Sequence, residues 1–118
     1  MLFRSPDDAD FESFAVIERM HAEAARRGVP LVVVMTPNEV QLFDPRYDGI
    51  GERVARFCAA KGIPHHDPLP VLRAHPDRVE LFHDGLHFSP LGHRVMAEWL
   101  APRLEEALRK PVRTEGTP

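Results

Sequence analysis

Three of the seven histidines fall in one short stretch, His83-Asp84-Gly85-Leu86-His87-Phe88-Ser89-Pro90-Leu91-Gly92-His93. Asp84 and His87 stand three apart around an Asp-Gly step, just before a Ser-Pro helix start. A loop at that place can turn both side chains toward one point. The carboxylate would then hold one tautomer of the imidazole, and the ring would remove a proton from a hydroxyl. The plain alternative is a turn at Asp84-Gly85 followed by a surface histidine. A metal site is the other chemistry to weigh, because His83, His87 and His93 are spaced as H-x3-H-x5-H. The three-histidine zinc pattern with this spacing needs a helix across its first five positions. Asp84-Gly85 favours a turn there, and Pro90 stands where that pattern has glycine. The acid–base pair is the stronger reading, with Asp84 as orienting acid and His87 as base, and His83 and His93 in structural roles.

The elements that must position this pair are legible along the chain. Ser5-Pro6-Asp7-Asp8 marks a helix start, with Ser5 as cap. That helix runs to about Arg27, with Phe14, Ile17, Met20 or His21, and Ala24 on one face and Gly28 as its left-handed stop. Leu31-Val32-Val33-Val34-Met35 is apolar without alternation, which predicts a strand covered on both faces in a parallel sheet. A loop through Asp44-Pro45 and Asp48-Gly49 precedes a helix over about 50–61, with Ile50, Val54, Phe57 and Cys58 at helical spacing and Gly62 as its stop. Ile63 to Asp67 is a second strand candidate, and Leu69 to Ala74 a short helical turn. Val79 to Phe82 reads as extended or irregular. Ser89-Pro90 opens a last helix with Leu91, Val95, Trp99 and Leu108 on a buried face, and Pro102 should kink it or end its first half. Phe82, Phe88 and Trp99 read as core or loop anchors. The alternation of helix and strand indicates an α/β layered fold.

Composition narrows the function classes. A length of 118 residues suits one domain, here 1–110 with a disordered tail at 111–118. The net charge of −3, with no basic stripe, leaves no electrostatic footprint for nucleic acid. The longest apolar run is of strand length, so no membrane span is expected. The single cysteine, Cys58, rules out an intrachain disulfide and reads as a buried hydrophobe.

The block from Phe82 to Leu100 resembles the last conserved block of the SGNH/GDSL hydrolase family. A weaker likeness extends from Phe11 to Leu108, through Ala-Arg-Arg-Gly-Val-Pro, Thr36-Pro37, Gly-Ile-Pro and Asp67. The resemblance implies a flavodoxin-like three-layer α/β/α fold with parallel strands, of which this chain supplies the C-terminal part and lacks the N-terminal half. It also implies that Asp84 and His87 complete a triad acting on a small-molecule ester, an acylated lipid or carbohydrate for instance. Metal and organic cofactors have no part in that route. The family's Gly-Asp-Ser nucleophile motif and its Gly-x-Asn-Asp motif do not occur here. Asn38 lies in a different context and takes no oxyanion role, and Ser89 is a helix cap. The nucleophile is therefore expected from outside this chain, which alone is expected to be inactive. The alternative is a non-catalytic α/β module that binds a partner, or a second copy, through its open sheet edge.

Overall fold

The computed structural model describes residues 6–111, with side chains from residue 12 onward. The chain is mostly helical around a small parallel sheet, an arrangement compatible with part of an α/β fold. The first helix, α1 (Pro6–Arg26), places Phe14, Ile17, His21 and Ala24 in half-buried positions, while Met20 faces out. His21, rather than Met20, thus joins the inward face. The expected Ser5 cap lies outside the described residues. Gly28 stops α1 at φ 66°, where the Gly28 and Val29 amides donate to Ala25 and Ala24. Gly62 stops α3 (Gly49–Lys61) identically at φ 68°, with bonds from Gly62 and Ile63 to Ala59 and Cys58. The two stops turn the chain into β1 (Val33–Val34) and β2 (His65–His66), which pair in parallel with Val33 opposite His65. Phe14 of α1 stacks on Phe57 of α3 at 4.5 Å between ring centroids.

Several expectations change. The strands are two residues long, since Pro30 and Pro64 offer no amide to a ladder and Pro68 turns the chain into the next helix. Residues Leu31 to Met35 are half-buried rather than covered on both faces. A parallel strand is enclosed only by a wider sheet, and β1 has one neighbour among the described residues. The loop after β1 contains α2 (Glu39–Phe43) and a 3-10 turn at Pro45–Tyr47. Ile50 is exposed at the start of α3. Of the extended or irregular alternatives at Val79 to Phe82, the extended one does not form: Arg78–Glu80 is a 3-10 turn.

The short helix over Leu69–Ala74 forms as expected and is α4. The last helix, α5 (Pro90–Arg109), continues through Pro102. Leu108 is exposed, because nine residues past Trp99 it lies on the opposite side of α5, and Met96 takes the central buried place. Leu42, Leu69, Leu72, Leu81, Phe82 and Met96 form the main core, flanked by Phe88, Leu91, Val95 and Trp99. That core joins α2, α4 and the start of α5, directly beneath the segment that carries Asp84 and His87. The molecule is a slab of 49 × 42 × 20 Å with a radius of gyration of 16.2 Å. A compact chain of this length has about 13.5 Å.

Candidate acid–base site

Residues 83–87 form a loop pinched shut at its base. Phe82 and Phe88 make an isolated antiparallel bridge with their rings 4.8 Å apart. The His83 amide donates to the His87 carbonyl at 2.7 Å, and the Ser89 amide to the Leu81 carbonyl at 2.9 Å. Ser89 locks this base to α5. Its hydroxyl donates to the Glu80 carbonyl at 2.5 Å and accepts the Gly92 amide at 3.1 Å, capping the helix as expected. Gly92 is required at the same spot, because a Cβ there would overlap the Leu81 carbonyl. Phe82 is buried, so the loop stands on a packed foundation.

Within the loop, one carboxylate organises everything. Asp84 Oδ1 accepts the backbone amides of Leu86 and His87, each at 2.8 Å. His87 Nδ1 lies 2.9 Å from both Oδ1 and Oδ2. These bonds, the Leu86 amide foremost, then the His87 ring and the His87 amide, hold the Asp84 carboxyl at about 2. An ionised Asp84 facing Nδ1 assigns the proton to Nδ1, which leaves Nε2 as the acceptor. Both side chains remain open to solvent, His87 at 74% and Asp84 at 53% exposure. The geometry therefore supplies an oriented base, and its exposure leaves room for a substrate or another protein surface.

The other sequence-marked groups are placed elsewhere. Residues 83–87 are not helical, so His83 and His87 do not form the ligand pair that a zinc pattern needs. Among the described residues no group of three or more His, Cys, Asp or Glu converges as a metal site. Ser89 has its hydroxyl engaged in the cap. Cys58 is fully buried, and burial pushes its thiol up. Among the described residues no hydroxyl or thiol bonds to His87.

One support of the loop was not anticipated. The Glu39 amide, at the start of α2, donates to the Gly85 carbonyl at 3.1 Å. This draws the segment that follows β1 against the loop, on the side where the sheet's strands end. Asn38 precedes that amide and takes a hydrogen bond from no side chain of the loop; its own amide donates to Gln41 Oε1 at 2.7 Å. The other end of α2 is held by Arg73 of α4, whose Nε donates to the Gln41 carbonyl at 3.0 Å and whose Nη2 reaches Asp48 at 2.6 Å. That guanidinium holds the Asp48 carboxyl below its ordinary value. The Asn-x-x-Gln spacing at 38–41 is a helix-start signature that would have revealed α2. Compared with family models, with curated protein sequences and with solved structures, the chain finds no match.

Proposed function

We propose that this chain carries the acid–base half of a serine-type ester hydrolase. The observation that supports the reading is the Asp84–His87 pair: both carboxylate oxygens lie 2.9 Å from Nδ1, the His87 side chain is largely exposed, and Nε2 has no partner among the described residues. A serine brought to Nε2 would lose its proton to the ring as it attacks an ester carbonyl. The imidazolium formed would be steadied by Asp84 and would protonate the departing alcohol. The resulting acyl-serine would be released by water, activated by the same nitrogen. The nucleophile and the donors for the oxyanion come, on this reading, from an N-terminal half of a three-layer α/β/α fold set against the open edge of β1. The thin slab and the half-buried Leu31 to Met35 support that arrangement.

The test is p-nitrophenyl acetate hydrolysis by the protein extended upstream of Met1. Turnover that disappears in His87→Ala supports the reading; equal turnover in that variant rejects it. A second reading, a non-catalytic module that self-associates through the same edge, is favoured by the same half-buried strand. It predicts a concentration-dependent dimer and no His87-dependent turnover.

A further inference from the structure

At the far end of α5 lies a cavity of about 540 Å³, within the size range of small-molecule sites. It opens between α1 and the last turns of α5, at the entering ends of β1 and β2. Arg103 follows Pro90 by thirteen residues, about 20 Å along a helix, so the cavity is separate from the Asp84–His87 loop. Ala25, Leu31, Pro64 and Ala107 give it an apolar lining. Its charged lining is Lys61, Arg103 and Lys110 with one carboxylate, Glu106. Lys61 is paired with Glu18 at 3.2 Å and Lys110 with Glu106 at 3.1 Å.

Arg103 differs from these two. It is half-buried, and among the described residues it has no carboxylate partner. Its Nη1 donates to the Trp99 carbonyl at 2.6 Å, and the guanidinium lies 4.2 Å from the centre of the Trp99 ring. The other donors of its planar fork remain available, in the geometry that suits carboxylate or phosphate. His66 stands edge-on to the same indole at 6.3 Å. Burial, and then the Arg103 charge, holds His66 below the ordinary imidazole value. It is therefore neutral at pH 7, and the uncompensated charge in the cavity is that of Arg103.

We propose that this cavity binds a small oxyanion carried on an apolar chain, a fatty carboxylate or an alkyl phosphate. Arg103 holds the head group, and Ala25, Leu31 and Ala107 take the chain. The site stands independently of the hydrolase reading.

Calorimetric titration of the full chain with decanoate, decyl phosphate, decanol and acetate tests it, each kept below its micellar concentration. One molecule of decanoate or decyl phosphate should bind per chain, and the tighter of the two identifies the head group. Decanol should bind about tenfold more weakly or worse, the loss expected when one charged hydrogen-bonding partner is removed, and acetate about a hundredfold more weakly or worse, since it has no chain to bury. Arg103→Gln should weaken decanoate by about tenfold and leave decanol unchanged. Ala107→Trp, which fills the cavity and keeps Arg103, should abolish both. Binding should also shift the fluorescence of Trp99, the single tryptophan of the wild-type chain, and the shift should be absent in Arg103→Gln. The proposal is overturned by no saturable binding up to about 1 mM, by decanol binding as tightly as decanoate, or by full decanoate affinity in either variant with an unchanged melting curve. A chain that elutes as a dimer and binds decanoate only on dissociation would overturn it too, by assigning the cavity to a second copy.

Discussion

Asp84 accepts two backbone amides before it reaches the imidazole, and this decides how the pair responds to pH. A group that titrates lower in the folded loop than its ordinary 3.8 adds stability that is fully present above that value. The contribution is lost as pH falls through about 2. Carbon-detected NMR of the Asp84 carboxyl should therefore give a midpoint near 2, with the loop losing order over the same range. In His87→Ala the midpoint should rise only part of the way toward 3.8, because the Leu86 amide, the largest contributor, remains. A midpoint already at 3.8 in the wild-type chain would contradict the geometry. The Asp-x-x-His spacing was enough to expect the contact, because three residues around an Asp-Gly turn return both side chains to the same side. Its exposure was not legible, since that depends on what lies across the loop rather than on the loop. The Glu39 amide was equally hidden: it is a backbone group, and no residue type marks it.

At the scale of elements, glycines carry the most information that local sequence can hold. Gly28 and Gly62 both adopt positive φ, and both were readable because the left-handed stop is a property of one residue. Gly62→Ala should cost about 1–2 kcal/mol, the penalty of a Cβ in that conformation, measured by urea unfolding. Nothing lies within 4 Å of a Cβ at Gly62, so backbone strain alone sets the loss. Gly92 is a different case. Its Cβ would strike the Leu81 carbonyl, the group that closes the base of the loop. Gly92→Ala should destabilise by about 1–3 kcal/mol or more and should also broaden the His87 ring signals. Broadening without destabilisation, or neither, would argue against Gly92 as the joint between loop and helix. Helical periodicity was a poorer guide at helix ends. Ile50 keeps the inward spacing yet faces solvent, because spacing names a face and cannot say how far along the helix a partner extends; Leu108, nine residues past Trp99, lies on the opposite side of α5.

For the whole molecule, the sheet among the described residues is two strands of two residues each, so β1 has one neighbour. The apolar run Leu31 to Met35 announced a strand meant to be enclosed, and the structure supplies only part of the enclosure. The best-packed region lies instead under the Asp84–His87 loop, around Leu72 and Leu81, both fully buried. A rigid base beneath an exposed acid–base pair, beside an open sheet edge, suits a site completed by a second body of protein. The order of elements was enough to expect helices around a small parallel sheet, compatible with part of an α/β fold; the extent of the sheet was not legible, since strand neighbours are long-range partners. The central claim is that His87 is the base for a serine from outside this chain. Its most direct test is single-turnover acylation of the upstream-extended protein by p-nitrophenyl acetate, compared with the same protein carrying His87→Ala. The account predicts a burst of nitrophenol in the first and a loss of about a thousandfold or more in the second; a burst of equal size and rate in both would contradict it.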